Sequence, residues 1–225
     1  MKKSMSNLST IKHISFDLDG TITDSVDTIY MSTIKTLEKL KIPNNLTPDE
    51  FRNRVGYHFQ DIFNDLNIPV NNFEEYLAIY KDFYLMFINK SRIYDGVSET
   101  LQYLKDQDIS LSLCTTKVQS QADMVIDYFG LRKYFSLILG RRDNLKNKPS
   151  AEPLLFICSE LNVNPGASLL VGDTELDIRC GKNAGAKTCA ASYGYRDLNI
   201  IREEHPDYII NDIKGLINLV VQSRN

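Results

Sequence analysis

Asp17 and Asp19 flank a single leucine in Phe16-Asp17-Leu18-Asp19-Gly20-Thr21, at the end of a short apolar run. Two like charges so close repel, and neither enters a core without a partner. Positive charge is therefore expected beside them. A hard divalent cation such as Mg²⁺ fits, because it takes carboxylate and carbonyl oxygens. A carboxylate can attack phosphorus, and a second carboxyl beside it can move protons. The plainer alternative is an acidic turn that Gly20 and Thr21 cap after a strand.

The elements around this pair decide between the two. Residues 14–16 read as a strand. Val26, Ile29, Tyr30, Thr33, Ile34, Leu37 and Leu40 recur at helical spacing,. Pro43 and Pro48 bracket a turn-rich break, and the pattern stays helical and aromatic from Phe51 to Phe87. Phe73, Tyr76, Leu77, Tyr80, Phe83, Tyr84 and Phe87 form one broad stripe, which reads as a helix-packing core,. After Asp95-Gly96 the texture alternates. Strands are expected at 109–113, 135–139, 168–171, 187–191 and 208–210. Helices are expected around Leu101, Val125, Leu155, Ile178 and Leu216, with Gly130 and Gly185 as stops,. Alternating strand and helix implies an α/β fold with a parallel sheet, a Rossmann-like core. Residues 1–22 and 93–225 would build that core. Residues 23–92 carry no convincing strand and read as an inserted α-helical domain.

In open parallel sheets, ligands bind beyond the carboxyl ends of the strands. Four polar clusters are expected at that edge: Asp17 and Asp19; Thr115, Thr116 and Lys117; Lys148-Pro149; and Gly172-Asp173-Thr174-Glu175-Leu176-Asp177. Together they meet the demands of phosphoryl transfer. Asp17 serves as nucleophile and metal ligand, and Asp19 as acid and base. Asp173 completes the carboxylate side of a Mg²⁺ site, and Asp177 holds its surroundings. Thr115, with Thr116 beside it, donates to phosphoryl oxygens, and Lys148 offsets negative charge. Singly, each cluster reads as an ordinary turn or loop; their order and strand-end placement argue for a site. Gly130, Gly181, Gly185 and Gly194 read as structural turns and caps.

Composition narrows the class. With 26 Lys and Arg against 29 Asp and Glu, the net charge is −3, so no global field favours nucleic acid or anionic membrane,. The basic clump Arg141, Arg142, Lys146 and Lys148 is too short for a nucleic-acid footprint and reads as a solvated loop or a phosphate-facing edge,. Cys114, Cys158, Cys180 and Cys189 lack zinc or redox spacing and suit a reducing compartment,. Lys2 and Lys3 precede no apolar stretch of the signal-peptide kind, and no apolar run approaches membrane-spanning length,. A cytoplasmic protein is expected, a monomer or homodimer acting on a small molecule.

The ordered motifs Asp17-Leu18-Asp19-Gly20-Thr21, Thr115, Lys148-Pro149 and Gly172-Asp173 through Asp177 resemble those of the haloacid dehalogenase superfamily. The inserted helices resemble that superfamily's helical cap. Tyr94-Asp95-Gly96-Val97, Asn183-Ala184-Gly185-Ala186 and Tyr193-Gly194 are similar to its phosphoglycolate phosphatase-like branch. The resemblance implies an aspartyl-phosphate on Asp17, an Asp19 that protonates the leaving oxygen and then activates water, and Mg²⁺ held by Asp17, the Asp19 backbone carbonyl and Asp173. Thr116 stands where many such phosphatases have Asn, and Ala151 where a second proline is common. Asp19 speaks against the dehalogenase branch, and the lysine-poor cap against a phosphonate-hydrolysing relative. A β-phosphoglucomutase-like mutase, or a binding protein on a retired phosphatase scaffold, are the alternatives. Substrate selection is expected in the cap, at Arg54, Tyr57 and His58 around the turn at Gly56.

Overall fold

A computed structural model describes residues 11–224; Lys2 and Lys3 lie outside them. Strand β1 (His13–Phe16) leads through the short β2 (Thr23–Asp24) into four helices, α1 (Val26–Lys39), α2 (Pro48–Arg52), α3 (Phe59–Asp65) and α4 (Phe73–Phe87). The chain returns through β3 (Arg92–Ile93) and α5 (Val97–Asp106) to β4 (Ser110–Val118). It then alternates through α6 (Gln119–Tyr128), β5 (Leu137–Arg141), α7 (Glu152–Glu160), β6 (Ser168–Gly172), α8 (Glu175–Asn183), β7 (Lys187–Ala191), α9 (Leu198–Glu203), β8 (Tyr208–Ile210) and α10 (Gly215–Arg224).

The six-stranded sheet runs β5-β4-β1-β6-β7-β8, with every pairing parallel. This is the α/β core with an inserted helical cap. Strand β1 is central, and Phe16 pairs with both Leu113 and Val171. That register brings Asp17, Thr115 and Asp173 to one edge, since each follows its paired residue by one or two positions. Helices cover both sheet faces, so the central strands are buried on both sides, as parallel sheets require,.

Four local features differ from the sequence reading. Thr23–Asp24 and Arg92–Ile93 form a two-residue antiparallel ribbon where the cap leaves and rejoins the core. Its short length leaves no alternation to read. Strand β4 extends to Val118 past a register shift, so Thr115, Thr116 and Lys117 lie within its end rather than beyond it. The expected strand at 135–139 begins two residues later, because a 3₁₀ turn at Arg132–Tyr134 precedes Phe135, which packs edge-on against Phe16. Helix α9 was not expected; Asp197 caps it by accepting the Asn199 amide.

In the cap, Tyr76, Tyr80 and Tyr84 recur every four residues along α4 and are buried, at 5.9 Å centroid spacing, with Tyr76 and Tyr80 stacked and Tyr84 tilted against Tyr80. The stripe is a packing core, as its spacing implies, yet its inner end also reaches the site described below. All four cysteines are free and buried. Among the described residues, no helix is long and apolar enough to cross a membrane.

At the opposite end of β1 lies a buried polar network. His13 pairs through Nδ1 with Ser168 Oγ at 3.0 Å and through Nε2 with Ser112 Oγ at 2.8 Å, and Ser112 donates to Ser15 at 2.9 Å. One serine of β4 and one of β6 thus satisfy a buried imidazole. Burial lowers the pKa of His13 from 6.5 to about 4. The unfolded chain therefore binds the extra proton between those values, so this contribution is complete above pH 6.5 and falls as pH drops toward 4. The full shift corresponds to about 3 kcal/mol,. Urea unfolding of wild type and His13→Gln at pH 7.5 and 5 tests this. Wild type should lose about 2 kcal/mol more than the variant on acidification. Equal losses would show that His13 does not titrate across that window.

Candidate active site

Asp17 follows β1 and donates its backbone amide to Val171 O at 2.9 Å, which fixes it against β6. Lys148 Nζ lies 2.6 Å from Asp17 Oδ1 and 2.5 Å from Asp177 Oδ1, with its side chain 3% exposed. The lysine enters from the connection before α7, so the basic clump is not uniformly solvated. Lys146 pairs at the surface with Glu152, whereas Lys148 is in the interior.

Carboxylate oxygens of Asp17, Asp173 and Asp177 lie within 4.8 Å of one another, and all three residues are buried. Burial, and then the neighbouring carboxylates, raise the proton affinity of Asp173. Burial does the same at Asp17, where Lys148 pulls the other way. Burial disfavours the charge of Lys148, but Asp17 and Asp177 outweigh it and keep the lysine cationic. Three carboxylates against one lysine leave a deficit of two positive charges, and the donors are hard oxygens. That combination fits a divalent cation.

Asp177 has little freedom to serve as a direct ligand. Its Oδ1 accepts from Lys148, and its Oδ2 accepts the Thr174 amide at 3.1 Å and hydroxyl at 2.7 Å, in the capping box of α8. Asp173 accepts from Thr21 Oγ1 at 3.2 Å and from the Tyr195 amide at 2.9 Å. Two glycines admit it. A Cβ on Gly20, whose φ is +91°, would lie 2.3 Å from Asp173 Oδ2, and one on Gly194 would lie 2.2 Å from Asp173 Cβ. Gly194, read from sequence as a structural turn, is therefore part of the wall of the site.

The Asp19 side chain turns away from this cluster. Ser25 Oγ donates to its Oδ1 at 2.5 Å, and Lys117 Nζ lies 3.0 Å from its Oδ2. Lys117 sits 4.5 Å from the centroid of the Tyr84 ring, and its side chain is 5% exposed. Burial works against its charge, but Asp19 and Tyr84 outweigh it. Sequence reading placed Lys117 at the strand end without giving it a role. No spacing signal links it to Asp19, because the two meet only through β1–β4 pairing. Tyr195 was missed likewise: besides its amide bond to Asp173, its hydroxyl accepts the Ser25 amide at 2.7 Å.

Thr115 is buried, and its hydroxyl accepts the Lys117 amide at 3.2 Å. Thr116 instead donates to the Gly56 carbonyl of the cap at 3.1 Å. Asp19, Thr116, Lys117 and Arg141 line a cavity of about 60 Å³ that the cap roofs with His58 and Tyr80, among others. His58 caps α3 by accepting the Gln60 amide, and burial followed by Arg141 lowers its proton affinity. Tyr57 reaches the cavity wall, but its hydroxyl is bonded to Glu175 of the core. Arg54 does not belong with them: it donates to the Glu50 carbonyl at 2.9 Å and lies outside the cavity lining. The tight turn at Gly56 presents Tyr57 and His58 to the core, whereas Arg54 precedes it and folds back along α2.

A sequence profile of the haloacid dehalogenase-like hydrolases matches residues 14–191. Pyrophosphatase PpaX of Oceanobacillus iheyensis is 31% identical over 219 residues, covering 95% of this chain and 99% of its own. The phosphoglycolate phosphatase of Aquifex aeolicus is 32% identical over 209 residues, covering 92% and 95%. A haloacid dehalogenase-like hydrolase structure from Streptococcus pneumoniae superposes with a TM-score of 0.83 at 22% identity, covering 93% of this chain and 98% of that one, and so shares the fold. The strand-end carboxylates, the buried lysine and the inserted helices are thus the features of a chain that belongs to the haloacid dehalogenase-like hydrolase family, as a phosphatase.

Proposed function

We propose that this phosphatase hydrolyses a small, anionic phosphomonoester or pyrophosphate by way of an aspartyl-phosphate on Asp17. The observation that carries the reading is the division of labour between the two aspartates. Lys148 holds Asp17 Oδ1, and no donor among the described residues occupies Oδ2, which leaves an oxygen to attack phosphorus. Asp19 faces the cavity instead, where a leaving group would sit. In the first step a bond forms between Asp17 Oδ2 and phosphorus as the bond to the leaving oxygen breaks, and Asp19 gives that oxygen its proton. In the second, Asp19 takes a proton from water as water attacks phosphorus and frees Asp17. Thr115 and Lys148 hold phosphoryl oxygens, and Lys148 stabilises the charge that develops on them.

Asp17, Asp173 and the Asp19 carbonyl would hold Mg²⁺, with Asp177 keeping Lys148 and the 172–177 turn in place. The ion would supply charge neutralisation and alignment of the phosphoryl group. The cavity beside Asp19, of about 60 Å³ and open on one side, is where a compact leaving group would sit,. Lys117 and Arg141 on the cavity wall favour a leaving group that is itself anionic,. The relatives named for phosphoglycolate and pyrophosphate carry the same implication. Tyr57 and His58 roof this space and are the cap's contribution to selection.

Asp17→Asn should lower turnover by about 10⁴-fold or more, since the amide is a poor nucleophile. Phosphate release within tenfold of wild type would remove Asp17 from that role. Asp19→Asn should cost about 10²–10⁴-fold. That loss should be smaller for p-nitrophenyl phosphate than for phosphoglycolate, because a good leaving group needs less protonation; equal losses on both would contradict the assignment of Asp19. EDTA should abolish phosphate release and Mg²⁺ restore it, with Ca²⁺ a poor substitute because it takes more ligands at longer distances. Undiminished activity in EDTA would exclude the metal site.

A further inference from the structure

The cap meets the core at a contact that the catalytic steps do not use. The Tyr57 hydroxyl donates to Glu175 Oε1. Arg196 Nε donates to Glu175 Oε2 at 2.7 Å. The Arg196 guanidinium then lies over the Tyr57 ring, 4.8 Å from its centroid. The three groups close a triangle in which two belong to the core and one to the cap. The core pair is interior, with side chains 6% and 5% exposed for Arg196 and Glu175, while Tyr57 is 41% exposed. Burial and then Glu175 raise the proton affinity of the phenol, so it remains a donor.

Stability alone does not account for this pair. A buried ion pair gains little over apolar packing. One amino group of Arg196, Nη2, is buried with no hydrogen-bond partner among the described residues, which adds a cost,. The guanidinium spends its flat face on Tyr57 instead, a cation–π contact that strengthens when desolvated. The arrangement is therefore built to receive an aromatic hydroxyl from the cap. Its position matters for the site. Glu175 opens α8 two residues after Asp173, and Tyr57 follows Gly56, whose carbonyl accepts from Thr116. The cap turn at 55–58 is thereby held at two points, one on the phosphate-side strand and one on the Asp173 side, directly above the cavity.

We propose that Glu175, oriented by Arg196, is a positioning residue that clasps Tyr57 and sets the height of the cap over the cavity, and so the size of leaving group the enzyme accepts. The clasp itself is independent of the reaction; its consequence for selectivity rests on the phosphatase reading above. Tyr57→Phe keeps the ring over Arg196 and removes only the donated hydrogen bond at a partly exposed site, so the variant should fold. Glu175→Gln tests the charge of the acceptor, and Arg196→Lys keeps that charge paired but removes the planar stack.

Hydrogen exchange of the full chain reads the clasp directly. In wild type the amides of Arg54, Val55 and Tyr57 are held by turn bonds to Phe51, Arg52 and Arg54. In Tyr57→Phe these amides should exchange about tenfold faster, as expected for losing one hydrogen bond to a charged acceptor. Amides of α4 should be unchanged. The ratio of kcat/KM for p-nitrophenyl phosphate to that for phosphoglycolate should rise by a similar factor, chiefly through a higher KM for phosphoglycolate. Unchanged exchange at 54–57 would overturn the clasp. Faster exchange with an unchanged substrate ratio would overturn its role in selectivity. If wild type with Mg²⁺ released phosphate from no phosphoester or pyrophosphate, the phosphatase reading and the selectivity role would fall together, while the exchange data would still decide the clasp.

Discussion

Lys148 Nζ touches Asp17 and Asp177 at once, and Asp173 stands within reach of both carboxylates. Everything else at the sheet edge answers to that concentration of buried charge. A lysine alone leaves the ionised cluster negative, so it favours further positive charge, and its hard oxygens suit a divalent cation,. The same imbalance explains the density of donors around it. Thr21, the Tyr195 amide, and the amide and hydroxyl of Thr174 all point at carboxylate oxygens. Each lowers the cost of holding an acid in the interior. The glycines at 20 and 194 then follow as steric consequences, because Asp173 occupies the space a side chain would need.

The second aspartate escapes this cluster by its place in the chain. One residue separates it from Asp17, yet the turn over 18–23 sends its side chain to the cap entrance, where Ser25 and Lys117 hold both oxygens. Two carboxylates one residue apart are thus given different neighbours, Lys148 for one and Ser25 with Lys117 for the other. The partner of Asp19 is a lysine packed on Tyr84 of the cap, so Asp19 and the cap share a wall.

How much of this was legible depends on the range of the interaction. Asp17, Asp19, Thr115, Lys148, Asp173 and Asp177 were readable because strand-end placement in a parallel sheet follows from local alternation of elements. The fold was readable for the same reason, down to the bounds of β7 and β8. Contacts across the cap–core seam were not. Nothing in the spacing of Tyr57, Glu175 and Arg196 marks them as neighbours, since they lie 118 and 21 residues apart in successive pairs. Arg54 is the converse case: a cation near a glycine turn reads as a substrate ligand, whereas the turn that presents Tyr57 and His58 places Arg54 against the Glu50 carbonyl, outside the cavity lining. The two-residue ribbon of Thr23–Asp24 with Arg92–Ile93 was invisible because neither segment is long enough to show a period.

Cap and core are joined by groups of different strength, and that ordering bears on how the cavity is enclosed. The ribbon and the Asp24–Arg92 pair join the two crossings at the surface, where an ion pair contributes little,. At the far side, the cap turn rests on one hydroxyl from Thr116 and on the Tyr57 clasp. The interior of the cap is far firmer, with its tyrosines buried and packed ring against ring along α4. The helices form a packed unit that meets the core through a narrow ribbon at one end, polar contacts at the cap turn, and the packing of Lys117 on Tyr84 and of Arg52 on Tyr195. The polar contacts at the turn over 55–58 lie nearest the cavity roof, so a change there alters how the roof sits over Asp19 while the packed helices stay as they are.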